Sequence, residues 1–239
     1  MAKQRGPVAS TFSGRVGNVV GAKLKGGEYV TRSYQPSVKN PNTLRQRVSR
    51  LRMSTAAKIA AGLAPAIQAG FGKAAGSTKM YPRNMFVRNL VKLSTGSAMH
   101  IVDESAEVEF NELKLSERIG ISTMPAMGVI DTATANTLKI PITGQPVVDV
   151  LPAGHMGVVI VAYDKQNNFC VVDMFDAPSE GTSTLEMPMP ASMAGISVEV
   201  YAFFKWIPQS GNDIATDTEP WKYPAETGST VYVGNATVA

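Results

Sequence analysis

An α+β fold is predicted for this 239-residue chain: an N-terminal β-hairpin plus short helices, followed by a C-terminal antiparallel β-sandwich, immunoglobulin-like in the loose sense. Three observations predict it. Residues 10–35 carry short β-type runs around a Gly26-Gly27 pair, a strong hairpin signal. Residues 43–93 carry apolar spacing of helical period. From residue 100 onward, alternating runs follow one another with polar turns between them, which is the pattern of a sandwich.

The hairpin is built from "VVGAKLK" and "EYVTRSY", which places Lys23, Lys25 and Arg32 on neighbouring strands with Tyr29 and Tyr34 among them. A proline-fixed connector, "QPSVKNPN", leads to a helix predicted to start at Thr43, with Asn42 or Thr43 as its N-cap. On that helix Leu44, Val48, Leu51 and Ile59 form one stripe, and Thr55 fills the gap. Arg45 and Arg52 fall on one flank of the stripe, Arg47 and Arg50 on the other. A second short helix is expected to about Ala75 in the alanine-rich stretch containing Pro65 and Gly70. A third opens at "YPRNMFVRNLVKL", with Met85, Phe86, Leu90 and Val91 facing the core.

The strand series runs "AEVEFNELKL", "NTLKIPITG", "HMGVVIVAYDKQNNFCVVDMF", "TSTLEMPM", "ISVEVYAFFKWI" and "STVYVGNATV". The third of these reads as two strands around Lys165-Gln166-Asn167-Asn168. Cys170 is the only cysteine, so an internal disulfide and any multi-cysteine metal site are excluded. It is expected in a buried strand.

Charge divides the chain more sharply than composition does. Residues 1–100 hold seventeen Lys and Arg against one acid, Glu28, whereas residues 101–239 hold six against eighteen. A basic hairpin-and-helix region, 1–100, and an acidic β-sandwich domain, 101–239, are therefore predicted. Such segregation points to a polyanionic partner or to basic and acidic surfaces that meet. The candidate binding residues for nucleic acid or an acidic partner are Lys23, Lys25, Arg32, Lys39, Arg45, Arg47, Arg50 and Arg52. Phosphate contact through them gives salt-sensitive affinity for DNA without sequence specificity. No motif for base readout is present.

A reaction is not expected, and no cofactor or metal is. His100 and His155 sit in no nucleophile or metal pattern. Asp103, Glu104, Glu107 and Glu109 have the donors for a hard cation, but alternation puts Glu107 and Glu109 on one solvated face. "SGRVGNVVG" lacks the Lys-Ser/Thr ending of a phosphate loop, and its glycines read as turns. No apolar run is long enough to span a bilayer, and "MAKQRGPVAS" has no apolar core of a signal peptide. No membrane partner is expected.

"FSGRVGNVVGAKLKGGEYVTRS", Phe12 to Ser33, followed by "VKNPNT" and a Gln/Arg-rich helix, resembles a family of unknown function found in Bacteroidota genomes and their bacteriophages. Its members show FSGKVGNVVG-like, KGxxYVRS-like and KNPRTPAQ-like stretches. Here Asn42 stands for the common arginine and Leu44 for the common proline. The resemblance covers about the first 60 residues and implies a phage or prophage context and a non-enzymatic role. The expectation is a virion structural or assembly protein, in the virion or host cytoplasm. Its basic half would contact packaged nucleic acid or acidic neighbouring subunits, whether other virion proteins or copies of itself in a homo-oligomer. The alternatives are a sequence-independent nucleic-acid binder acting outside a particle, and a module that self-assembles head-to-tail by pairing basic and acidic halves.

Overall fold

In the computed structural model the described residues are 2–4, 13–24, 29–37, 42–93, 99–102, 105–121, 126–143, 154–177, 182–208 and 227–239. The N-terminal strands β1 (Ala2–Gln4), β2 (Gly14–Val16), β3 (Val19–Lys23) and β4 (Tyr29–Ser33) form an antiparallel sheet in the order β1-β4-β3-β2. Gly17 adopts φ +58° at the first position of the two-residue turn between β2 and β3, where a side chain would be strained. The predicted pairing of β3 with β4 is present, with Lys23 opposite Tyr29; Gly26-Gly27 lies outside the described residues.

Three helices follow: α1 (Leu44–Gly62), α2 (Ala64–Ser77) and α3 (Pro82–Leu93). Thr43 is the N-cap of α1, its hydroxyl accepting from the Gln46 N–H. Pro65 sits in the first turn of α2, where a missing N–H costs no hydrogen bond. Met85, Phe86 and Leu90 of α3 are buried, as the spacing predicts.

The C-terminal part begins with a hairpin, β5 (Met99–Val102) and β6 (Ser105–Val108), and a 3₁₀ turn at Phe110–Glu112. That turn ends the run "AEVEFNELKL" as a strand after its first three residues. The strands β7 (Ala126–Met127), β8 (Thr137–Thr143) and β11 (Thr182–Pro188) form one antiparallel sheet in the order β11-β8-β7. The strands β9 (Gly154–Asp164), β10 (Phe169–Asp176), β12 (Ser197–Pro208) and β13 (Val231–Thr237) form another in the order β10-β9-β12-β13.

Alternation along β9 and β12 explains the layering. Val158, Ile160, Ala162, Val200, Ala202 and Phe204 pack with Leu138, Ile140, Ile142, Leu185 and Met187 of the other sheet, making the sandwich core. The opposite face, Val159, Val161, Tyr163, Tyr201 and Phe203, packs with Ala56, Ile59, Leu63, Ile67, Phe71 and Phe86 of the helices. The middle sheet is thus covered on both sides, and its central strands are apolar at nearly every position. The helices of the basic half share a core with the sheet of the acidic half, so the compositional divide near residue 100 runs through a packed interface.

Two close approaches fix the helices on the sheet. Gly62 at the end of α1 faces Asn168 in the β9–β10 turn, and a Cβ there would collide with the Asn168 side chain and carbonyl. Asn168 adopts φ 54°; its Nδ2 donates to the Lys58 carbonyl (3.0 Å), and its Oδ1 accepts from the Tyr163 hydroxyl (2.8 Å). Gly70 in α2 lies against the backbone of Leu115 and Ser116. The Glu117 N–H donates to the Gly70 carbonyl (3.3 Å).

Candidate functional site

The C-terminal half of α1 is anchored, whereas its first half is not. Ala56, Ile59 and Ala60 are buried. Toward the N-terminus the apolar stripe emerges: Thr55, Leu51 and Val48 are half-buried, and Leu44 is 60% exposed. Met53 is 50% exposed. Helical spacing therefore predicts the stripe correctly, but only its distal third meets a core.

Four arginines flank this partly exposed seam. Arg45, Arg47 and Arg50 are exposed; Arg52 is half-buried, and its Nε is buried without a hydrogen-bond partner among the described residues. No acidic residue lies between Glu28 and Asp103, so the helix carries no carboxylate of its own. The first turn is cationic where the helix dipole favours anions, so local helix energetics do not account for the charge.

The N-terminal sheet is cationic as well. Among its described side chains, only Gly21 is buried, and Val16 is 65% exposed. The register puts Val16, Val19, Lys23 and Tyr29 on one face and Arg15, Val20, Val30 and Arg32 on the other. Lys23 and Arg32 thus lie on adjacent strands, as predicted, but on opposite faces. Arg15 stacks over the Tyr34 ring, 3.5 Å from its centroid, and Lys23 lies 5.8 Å from that of Tyr29. Lys25 and Lys39 lie outside the described residues. Short strands without a covered apolar face are marginal alone. The first half of α1 is a cationic, partly apolar arm.

The acidic half carries exposed carboxylates along β6 and the segment after it, interspersed with the exposed Lys114 and Arg118. Ala106 and Val108 of β6 turn toward the core, so Glu107 and Glu109 point outward, and Glu112 and Glu117 follow; all four are exposed. Asn89 of α3 donates to Glu117 (3.3 Å).

Sequence reasoning does not find the polar network on the helix-facing side of the middle sheet. The Lys165 ammonium donates to Glu199 (2.9 Å), and the Tyr232 hydroxyl donates to the other carboxylate oxygen (2.7 Å). Burial pushes the Glu199 carboxyl up, but these hydrogen bonds and the Lys165 charge outweigh it and hold it below the usual carboxylate range. Burial, then the hydrogen bond to Glu199, pushes Tyr232 up to about 12. The Tyr201 hydroxyl donates to the Phe110 carbonyl (2.8 Å). This network ties the β9–β10 turn, β12 and β13 together. Lys165→Met is expected to destabilise the protein by about 2 kcal/mol at pH 7, because Glu199 loses a charged donor while staying buried. Glu199 contributes stability above its unfolded value and loses it as pH falls through the folded one. The penalty should therefore shrink toward pH 3, which thermal melts of both proteins at the two pH values would check.

Cys170 is buried in the helix-facing core, and burial pushes its thiol up to about 11, the setting of an inert packing residue. His100 lies on β5 opposite Glu107, and His155 on β9 opposite Ile207. No helix of the described residues is long and apolar enough to cross a membrane. No curated protein matches the chain, and no solved structure does. Over residues 11–218, however, spanning the arm, the helices and most of the sandwich, it matches DUF6266, and the chain belongs to that family of unknown function.

Proposed function

We propose that this chain is a non-enzymatic assembly protein of a phage particle, whose cationic arm docks on the acidic surface of a neighbouring subunit. The particle context rests on the resemblance of Phe12–Ser33 and the "VKNPNT" stretch to proteins of Bacteroidota and their phages. The docking role rests on one observation: along one stripe of α1 Leu44 is exposed and Val48 and Leu51 are half-buried, with the exposed Arg45, Arg47 and Arg50 on its flanks. An apolar seam with a cationic rim fits a protein surface with an apolar centre and carboxylates around it. Phosphate contact needs the arginines alone and leaves Leu44 in water. The tyrosines of the small sheet each carry a cation against the ring, which occupies a face that a base would stack on.

The test is mass spectrometry of purified particles from a host strain carrying the gene, with wild-type chain or with Arg45→Gln, Arg47→Gln and Arg50→Gln together. Wild-type chain is expected in the particles and the folded triple variant at a tenth of that level or less. Wild-type chain absent from particles, or the variant incorporated equally, overturns the proposal. Purified protein titrated with unrelated duplex DNA is expected to show no binding at physiological salt. Steeply salt-dependent binding that the triple variant loses would assign the arm to nucleic acid instead.

A further inference from the structure

We infer that one face of the N-terminal sheet is a binding site for a phosphate group, held between Arg15 and Arg32. It uses the sheet alone and none of the α1 arginines. Arg15 of β2 pairs with Val20 of β3, and Val20 pairs with Arg32 of β4, so all three side chains leave the same face. Two strand spacings separate the arginine Cα atoms by roughly 10 Å, a gap that two side chains of this length can close.

The end of β4 fixes one of the two guanidinium groups. The Tyr34 N–H donates to the Asn18 carbonyl (2.7 Å), which holds Tyr34 beside the β2–β3 turn. The Arg15 guanidinium lies over the Tyr34 ring, 3.5 Å from its centroid, and the Arg15 Nε donates to the Gly17 carbonyl (3.0 Å). Ring and carbonyl engage one side of the group and its Nε, and leave both Nη groups without a partner among the described residues. A guanidinium already held in this way loses little further freedom on binding. Arg32 is exposed, and no described residue pairs with it.

Two cations on one small face repel each other, and an anion between them offsets that repulsion. The described strands of this sheet hold no carboxylate; the one acid of residues 1–100, Glu28, lies four residues before Arg32. Val20 and Val30, both half-buried, line the same face and offer no side-chain acceptor. The donor set selects the ligand. A carboxylate is satisfied by one bidentate arginine, whereas a phosphate has oxygens for a planar fork on each side. Because Arg15 covers the Tyr34 ring, the group held is a phosphate and not a base. A free phosphate or phosphomonoester supplies that group, and so does the backbone of a nucleic-acid single strand.

The experiment is an NMR titration of the full-length protein with inorganic phosphate, at ionic strength held constant with chloride. Amide shifts in β2, β3 and β4 are expected to saturate with a dissociation constant on the order of 1 mM. Arg32→Gln removes no contact within the described chain, so the sheet stays paired, and it should weaken binding about tenfold or more. Arg32→Lys keeps the charge without the fork and should fall between the two. Arg45→Gln on α1 should bind phosphate as wild type does.

A short oligothymidylate separates the two sources. Tighter binding than inorganic phosphate, lost in Arg32→Gln, assigns the site to a strand backbone; no tighter binding assigns it to a free phosphate or phosphomonoester. The absence of saturable shifts in β2 to β4 with phosphate overturns the inference. So does a titration that Arg32→Gln leaves unchanged, or one that Arg45→Gln weakens equally. The wild-type titration stands without any variant, and none of these results bears on incorporation into particles.

Discussion

Gly70→Ala is expected to lower the unfolding free energy by about 3 kcal/mol, the upper range for forcing extra volume into a packed interior. The sign is informative, because Gly→Ala inside a helix otherwise stabilises by about 1 kcal/mol. At Gly70 the added Cβ would collide with the Leu115 carbonyl and come within 2.8 Å of Ser116 Cα. Both neighbours are backbone, and neither can move freely. The Leu115 and Ser116 N–H groups donate to the Thr230 hydroxyl (2.9 and 2.8 Å), and the Ser116 hydroxyl donates to the Gly228 carbonyl (2.7 Å). The Thr227 hydroxyl meets both the Gly70 and Glu117 carbonyls. A methyl group must therefore push α2 off the sheet or break this lacing. Gly76→Ala, six residues later in the same helix, meets nothing within 4 Å and should stabilise by several tenths of a kcal/mol or more. Urea denaturation of the two variants should move the midpoint in opposite directions at unchanged slope. A Gly70→Ala midpoint at or above wild type would mean that α2 is not held at this distance.

The contrast between these glycines shows what was legible in the sequence. Thr43 as a cap, the β3–β4 pairing and the buried face of α3 follow from local chemistry, since a capping hydroxyl, a turn glycine and helical spacing act within a few residues. Gly70 carries no such local mark. Its role comes from a segment 45 residues away, and the close approach exists only once the layers are assembled. The arm was legible by charge, and Arg45, Arg47, Arg50 and Arg52 sit on α1 where spacing put them. Periodicity, though, reports that a face is apolar and not what covers it. The stripe from Leu44 to Ile59 is continuous in sequence, yet burial begins near Ala56. The faces of Lys23 and Arg32 depend on the register of β3 with β4, which composition and charge do not report. The strand "AEVEFNELKL" stops at Val108 because Phe110–Glu112 closes a 3₁₀ turn, which alternation alone gave no reason to expect.

Lys205 had a readable signal: the run "VEVYAFFKWI" is apolar on both faces of β12, and a lysine inside a doubly covered strand has to be buried. It is 0% exposed, beneath α2, with its ammonium donating to the Ala69 carbonyl (3.2 Å). Across the sheet it pairs with Gly157 of β9 and with Thr227. Desolvation pulls the Lys205 pKa down from 10.5 to about 7. The unfolded chain therefore holds a proton on this lysine between pH 7 and 10.5 that the folded chain has released. Stability rises with pH wherever the unfolded state binds more protons, by about 1.4 kcal/mol per pH unit for one full proton. From pH 7 to pH 8.5 the gain is expected to be about 1.5 kcal/mol. Above that range the buried Cys170 thiol, pushed up to about 11, opposes the trend, because the unfolded thiol ionises first. Glu199 titrates far below the window. Lys205→Met keeps the length and apolar stem of the side chain and removes its proton. It should flatten stability across pH 7–8.5, as urea titrations at both pH values would show. A slope that persists in Lys205→Met would assign it to another group. A variant much less stable than wild type would show that the ammonium is held in place by more than it costs to bury.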